Sequence, residues 1–496
     1  MLGGTRAEIA GDLGTPIGAL AYDNRKAGPG TLFFCVPGGR ADGHDFAPAA
    51  VEAGVSALVV ERRLGLGVPE ALVPDARAAM APAAAAFNRD PTASLQVAGI
   101  TGTNGKTTTA FLLRHLLERT GTPTGLLGTV KSVVGGAEAE VERTTPEAID
   151  LQATFRAMLD AGDEACAMEV SSHATALGRA AGIRFAVAVF TNLTQDHLDF
   201  HADMEDYYAA KRLLFEAAGG EAGGTRPGGA VVNLDDRYGA RLATEIADSY
   251  GGDLVTFSAL GTKEATLRAA RVEFDATGSR FVARGPFGEL EVEMPLPGHF
   301  NVENALAALG TAITLGVEPA DAARAFRDAE RVPGRLEPID EGQRFAVLVD
   351  YAHTPDSLEN VLGAARRLTP SHGRVVCVFG CGGDRDRDKR PLMGEIAARL
   401  ADVPVVTSDN PRSEEPGAII AEILAGMTGR DGVAAEVDRR VAIRRALRLA
   451  AEGDTVVIAG KGHEQGQEFE GGRKIPFDDR EVARDELRAL EIRTAR

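Results

Sequence analysis

Gly102-Thr103-Asn104-Gly105-Lys106-Thr107-Thr108 stands directly behind the apolar run Leu95-Gln96-Val97-Ala98-Gly99-Ile100 and decides how the rest of the chain is read. A strand that ends in glycines and a lysine and then turns into a helix is a phosphate cradle. Backbone N–H groups freed by the glycines face the anion, and the helix N-terminus adds partial positive charge. In such a loop Lys106 reaches the outer phosphates and the Thr107 hydroxyl sits on magnesium. Leu112, Leu113, Leu116 and Leu117 share one helical face and Gly121 follows as a stop, so the helix that the loop needs is present. The spacing departs from the G-x-x-x-x-G-K-[ST] form, because Ile100 stands five residues before Gly105. Gly-Lys-Thr alone is a strand-to-helix turn. Flanked by strand and helix, it implies ATP binding.

Outward from this loop, 496 residues exceed one ordinary core, and about two to four domains are expected. An apolar content of 44% with 25% charged residues is that of a soluble globular protein, and no apolar run is long enough to cross a membrane. Met1-Leu2-Gly3-Gly4-Thr5-Arg6-Ala7-Glu8 lacks a basic region followed by an apolar core, so no export signal is expected. The four cysteines are scattered in or beside apolar runs, and Cys377 and Cys381 have no second pair to complete a zinc site. They read as reduced packing residues of a cytoplasmic protein. A net charge of −18 argues against a nucleic-acid partner, and an anionic substrate then needs local positive pockets.

Residues 1–95 form a first unit, with strand candidates at 31–36 and 57–60 and an alanine-rich helix near 79–87. The phosphate loop opens a second unit, 96–333, with buried-strand candidates at 165–170, 185–190, 230–233 and 254–257. Continuous apolar runs alternating with helical patterns predict mostly parallel sheets covered on both faces. The glycine-rich stretch 219–229 reads as a surface loop. A break at Arg331-Val332-Pro333-Gly334-Arg335 opens a third unit, 334–496. There, four polar clusters share one kind of address. Asp350-Tyr351-Ala352-His353, Gly380-Cys381-Gly382-Gly383-Asp384-Arg385, Asp409-Asn410-Pro411-Arg412 and Gly460-Lys461-Gly462-His463-Glu464 each follow an apolar strand candidate. Open α/β sheets bind ligands at the carboxyl ends of their strands, so the four predict one shared site.

In the middle unit, Glu169 ends a predicted buried strand, where a carboxylate needs either a salt bridge or a metal. A second polar cluster, Thr191 to Asp199, follows the next strand. His197 within it, taken alone, is an ordinary structural histidine. Together, the phosphate loop, Met168-Glu169-Val170-Ser171-Ser172-His173, Asp196-His197-Leu198-Asp199, Gly298-His299-Phe300-Asn301-Val302-Glu303-Asn304, Gly334-Arg335-Leu336-Glu337 and Asp350-Tyr351-Ala352-His353 run in one order over most of the chain. In that order they resemble the Mur ligases, the family that builds the peptide stem of peptidoglycan, and most closely the members that add its third residue.

The resemblance implies a three-domain α/β architecture: a small N-terminal α/β domain for the UDP-linked substrate, a central P-loop ATPase-like domain with a mostly parallel sheet, and a C-terminal Rossmann-like domain for the amino acid. It implies ATP-driven amide synthesis on UDP-N-acetylmuramoyl-L-alanyl-D-glutamate. ATP phosphorylates the D-glutamate side-chain carboxylate, and an amine then displaces phosphate. Two magnesium ions are implied, Thr107 on one and Glu169 and His197 near the other. Lys211, alone a surface lysine on a helix, matches the family's carbamylated lysine, whose carboxylate-like group faces metal. Catalysis is thus expected from Lys106, Glu169, His197 and Lys211.

The same resemblance puts Gly102 to Thr108 on the phosphates, Asn301 and Asn304 on the adenosine side, and Arg335, Asp350 and His353 on the nucleotide from the third unit. Asn24, Thr144, Thr145, Ser171 and Arg179 match positions that hold the UDP-muramoyl dipeptide. Two positions depart from the family pattern: Asn24 replaces a serine, and Leu177 a glutamine found in some members. Asp409-Asn410-Pro411-Arg412 resembles the diaminopimelate signature, with Arg385, Gly460 and Glu464 as further contacts, so meso-diaminopimelate is the expected amine. Arg412 would grip the distal carboxylate, and lysine would leave that guanidinium unpaired. The rivals are a lysine-adding ligase, a folylpolyglutamate synthase-like ligase and a non-catalytic nucleotide-gated binder. The expected protein acts as a monomer in the cytoplasm, with no nucleic-acid partner and no membrane insertion.

Overall fold

A computed structural model describes residues 7–12, 14–38, 41–141, 143–216, 226–430 and 432–494. Residues 1–6 and most of the stretch read as a glycine-rich loop lie outside the described residues; Gly229 already begins a strand. The chain is α/β, built on three large sheets.

The first sheet runs Glu8–Ala10, Glu70–Leu72, Ala57–Val60, Thr31–Phe34, Ala19–Ala21, parallel except for its Glu8–Ala10 edge. Thr31–Phe34 is buried throughout because apolar clusters cover both faces of the sheet. Asp75 accepts from the Ala78 N–H and so starts the helix Ala76–Phe87.

Among the described residues, eleven strands make the central sheet. Gln96–Thr101 lies in its middle, between Phe185–Phe190 and Ala165–Glu169, all parallel. The phosphate loop therefore leaves a central strand with Glu169 ending one neighbour and Thr191 following the other. Helices Lys106–Arg119 and His299–Thr314 pack on one face, and a second apolar cluster fills the other. Burial on both sides explains why these strands read as unbroken apolar runs.

Antiparallel additions at both edges escape such a reading. Leu267–Asp275, Gly278–Gly285 and Gly288–Met294 form a meander, and Ser132–Val134 with Ala137–Ala139 a hairpin. Their outer faces carry charged residues such as Glu289, Arg280 and Glu138, so no apolar run marks them.

The third sheet runs Glu337–Pro338, Ala346–Asp350, Thr455–Ala459, Val375–Phe379, Val403–Thr407, Ala434–Glu436, parallel except at its first pair. Helices cover both of its faces. The four polar clusters all leave carboxyl ends of its strands, and a ribbon of Gly466–Glu468 with Lys474–Pro476 stands beside them.

Candidate active site

Glycine is required at two positions of the phosphate loop. A Cβ on Gly102 (φ +150°) would lie 1.8 Å from Thr191 Oγ1, and one on Gly105 (φ +86°) 2.3 Å from Asn304 Oδ1. Lys106 turns back on its own loop and donates to the carbonyls of Gly102 and Thr103, both at 2.8 Å. Burial lowers its pKa, with Glu169 acting in the opposite direction. Asn104 donates from its side chain to Asp356 at 2.7 Å and from its backbone to Asn192 at 2.9 Å, which ties the loop to its surroundings.

Glu169 is 1% exposed. Its carboxylate accepts from the Thr107 hydroxyl at 3.0 Å, the Thr129 N–H at 2.8 Å and the Thr129 hydroxyl at 3.1 Å. Among the described residues no lysine or arginine pairs with it directly, so the salt-bridge alternative is not the one taken. Lys211 is likewise 1% exposed. It is no surface lysine: its ammonium shares the Gly102 carbonyl with Lys106, at 2.8 Å, and lies 4.5 Å from the Tyr207 ring centroid. Burial, reinforced by the Lys106 charge, pushes its pKa well below the usual lysine range. His197 adopts a positive φ of 57°, and burial pushes its pKa down to about 3 against the pull of Asp196.

Groups from the third sheet reach this centre. Arg335 donates to Thr107 Oγ1 at 3.2 Å and stacks 4.6 Å above the Tyr351 ring. Asp350 accepts from the backbone of Leu336 at 2.7 Å and Ala352 at 2.8 Å, which fixes the Gly334–Leu336 turn beside the loop. His353 faces Asp196 across the junction at 3.6 Å. Asn301 and Asn304 are buried together: Asn304 donates to Asn301, which itself anchors on the Pro297 carbonyl.

On the opposite side, Thr145 donates to the Glu169 carbonyl at 3.0 Å and Thr144 meets Thr129 at 3.0 Å. Ser171 caps the helix Ser172–Ala176 next to them. Arg179, expected alone to be solvated, is largely buried and pairs with Glu147 at 3.0 Å; Arg77 and Arg143 join the same carboxylate at 2.8 and 3.2 Å. Asn24 sits in the 3-10 turn Asn24–Lys26, docked on the central domain where Lys26 meets Asp150 at 3.6 Å and Tyr22 donates to Asp150 at 2.7 Å.

A cleft of 760 Å³ opens between the third sheet and the Ser132–Ala139 hairpin. Asn410, Arg412 and Glu464 line one wall and Thr129 the other. Arg412, at φ +51°, donates to Gly383 O at 2.7 Å and to Glu468 at 3.1 Å. The guanidinium thus already has a carboxylate, which corrects the expectation that lysine would leave it unpaired. Arg385 is not among the residues that line this cleft; it lies 3.6 Å from Asp199. Pro411 closes the turn, its carbonyl only 1.9 Å from where a Gly383 Cβ would stand. Asp409 is buried beside Gly460, with Oδ2 unpartnered. Burial alone would raise its pKa, but Lys461 and Arg439 hold it below the usual range.

Sequence reasoning assigned no role to several residues of these centres. Asp196 is buried and meets Lys389, from the third sheet's helix Lys389–Leu400, at 3.4 Å. Arg439 and Asp479 form a fully buried pair from which Arg439 also donates to the carbonyls of Ser408 and Ala459, the ends of two site strands. Lys389 and Arg439 stand among other charged residues in stretches that no motif covers, and only their burial distinguishes them.

Three family models match the chain: "Mur ligase family, catalytic domain" at residues 16–91, "Mur ligase middle domain" at 100–312, and "Mur ligase, glutamate ligase domain" at 334–462. The UDP-N-acetylmuramoyl-L-alanyl-D-glutamate--2,6-diaminopimelate ligase of Syntrophomonas wolfei is 46% identical over 485 residues, covering 96% of each chain. A solved structure bearing the same ligase name is 32% identical with a TM-score of 0.66, covering 96% of each chain. MurF ligase from Thermotoga maritima, solved in complex with ADP, shares the fold at 19% identity and a TM-score of 0.62, over 98% of this chain and 100% of that one.

Proposed function

The chain belongs to the Mur ligase family, and from that premise we propose that it uses ATP to join meso-diaminopimelate to the D-glutamate side-chain carboxylate of UDP-N-acetylmuramoyl-L-alanyl-D-glutamate. Residues 1–95 take the UDP end, 96–333 the ATP and 334–496 the amino acid. One residue carries the reading. Thr129 holds Glu169 with its N–H and hydroxyl while lining the cleft that contains Asn410, Arg412 and Glu464. An acid that serves the nucleotide and a cleft built for an amine therefore share a wall, as a ligase needs.

A carboxylate is a poor electrophile until its oxygen is phosphorylated. The D-glutamate carboxylate attacks the γ-phosphorus and ADP leaves; the unprotonated amine then attacks the acyl carbon and phosphate departs. Gly102 to Thr108 cradle the phosphates, and Lys106 leaves its own loop carbonyls to balance charge on the transferring group. Thr144, Thr145, Ser171 and Arg179 hold the dipeptide, with Asn24 on the uridine side. Leu177 offers that substrate no hydrogen bond. Asn301, Asn304, Arg335, Asp350 and His353 enclose the nucleotide. Docking of the third domain excludes water from the acyl phosphate.

Magnesium fits the oxygen donors Thr107 and Glu169, buried 3.0 Å apart, and the neutral ring of His197. When bound, magnesium neutralises phosphate charge. Among the described residues no cluster of three His, Cys, Asp or Glu groups forms; of two magnesium ions, Thr107 would hold one, and Glu169, His197 and a modified Lys211 the other. Burial favours the neutral Lys211 amine. Its lone pair bonds to the carbon of carbon dioxide, a proton leaves the nitrogen, and the carbamate becomes an acidic ligand. The enzyme is proposed to act as a monomer. It works in the cytoplasm, where ATP and UDP-linked precursors are held. Among the described residues no helix is long and apolar enough to cross a membrane.

Incubation with ATP, the UDP-muramoyl dipeptide and either meso-diaminopimelate or lysine tests the reading. The tripeptide product with diaminopimelate, identified by mass, and phosphate release that needs both co-substrates are expected. Phosphate release without an amide product, or product from lysine alone, refutes it.

A further inference from the structure

Behind the cleft lies a cation that this scheme leaves without a task. Lys461 is completely buried, and its ammonium donates to Asn410 Oδ1 and Glu464 Oε2, both at 2.8 Å. Asn410 is thereby fixed. Its Oδ1 also accepts from the Glu468 N–H at 2.9 Å, so its Nδ2 points to Glu464 Oε2, 2.9 Å away. One oxygen of Glu464 therefore has two donors, one of them fully charged. Arg412 is matched by Glu468 at 3.1 Å in the same way. The cleft lining carries four lysine or arginine side chains and four glutamates, among which Lys131 pairs with Glu138 and Arg412 with Glu468.

A balanced lining suits a ligand end that carries both charges and no net one. We propose that Lys461 determines amine specificity: it tempers Glu464 so that a zwitterionic amino-acid end is accepted and a lone ammonium is turned away. The inference rests on the ligase reading above. A lone ammonium at Glu464 meets Lys461 across the same carboxylate; Asp409, the other carboxylate near Lys461, also answers to Arg439, and Lys461 lies where no water screens the repulsion. In diaminopimelate the distal ammonium and carboxylate share one carbon. Lys461 then faces a dipole instead of a net charge, while Arg412 gains the carboxylate. Arg412 cannot supply the discrimination alone, since Glu468 already pairs with it. Rejection of lysine by a built-in like charge removes that difficulty.

The test compares three amines with ATP and the UDP-muramoyl dipeptide: meso-diaminopimelate, L-lysine, and L-norleucine, which keeps the chain and lacks the distal charge. In the wild type, diaminopimelate is best and norleucine at least equals lysine in kcat/KM. In Lys461→Met, lysine should improve by about tenfold, overtake norleucine and narrow the diaminopimelate preference. Lys461→Gln keeps a donor for Asn410 without the charge and should reorder the amines in the same sense, which covers a methionine variant that fails to fold. Lysine ahead of norleucine in the wild type, or an unchanged diaminopimelate-to-lysine ratio in a folded variant, overturns the proposal. A wild type that makes no diaminopimelate product defeats the ligase reading instead.

Discussion

The nucleotide side and the amine side of this molecule treat buried charge in opposite ways. Around the phosphate loop, Lys106 and Lys211 make their hydrogen bonds to carbonyl oxygens, and burial lowers both pKa values. Glu303, on the helix beside them, is pushed up to about 8 by burial and by Asp235 and Asp356. In and behind the cleft of the third sheet the buried and half-buried cations meet carboxylates: Lys461 with Glu464, Arg412 with Glu468, Arg439 with Asp479. In the first region the two lysines meet carbonyls rather than carboxylates; in the second the cations meet carboxylates. Uncompensated charge suits phosphoryl transfer, and paired charge suits selection among amino acids that differ by one carboxylate.

Substitutions on the two sides should therefore fail differently. Lys211→Ala is expected to lose essentially all turnover, with partial return when a short carboxylic acid fills the space. Lys211→Arg should stay inactive because guanidinium cannot become a carbamate. A fully active arginine variant removes the carbamate from the scheme. Lys106→Ala should lose on the order of thousandfold in kcat. Its melting temperature should hold, since no carboxylate is left without its partner. A large drop in thermal stability would mean that the loop's charge is compensated after all, and the contrast fails.

On the amine side, Arg412→Ala should raise the diaminopimelate KM by tens of fold or more and leave the ATP KM unchanged. Here stability should fall as well, because Glu468 loses its cation. Equal KM changes for both substrates would break the separation of the two regions.

The smallest effect is one of pH. Glu303 has a folded pKa of about 8 against 4.5 for the free side chain, so between these values the folded state binds the extra proton. Stability contributed this way falls as pH rises through that window and is fully lost above it. Glu303→Gln should melt higher than wild type above about pH 8, with the gap shrinking toward pH 5. Parallel melting curves would show that Glu303 is already ionised and paired.

Most of the parallel framework was legible in the sequence. Unbroken apolar strands such as Phe185–Phe190 and Val375–Phe379 arise from burial on both faces, and that pattern is local. The edge meander and hairpin were not legible, because one face of each is solvated and charged. In the site, contiguous motifs pointed to Lys106, Glu169 and Arg412. Their partners were hidden. No motif covered Lys389 or Arg439, and Lys461 stood in the Gly460–Glu464 polar cluster without a role, until burial set them apart.

By itself the sequence determined the phosphate loop, since two glycines, a lysine and a threonine between a strand and a helix can place backbone amides in only one useful way. It determined likewise that four polar clusters end the strands of one sheet. Only the tertiary structure decided which charges are matched. Arg412 meets Glu468 across 56 residues, Asp196 meets Lys389 across 193, and Lys106 and Lys211 share a single carbonyl. Electrostatic energy depends on distance and on exclusion of water, and neither is a property of neighbours along the chain.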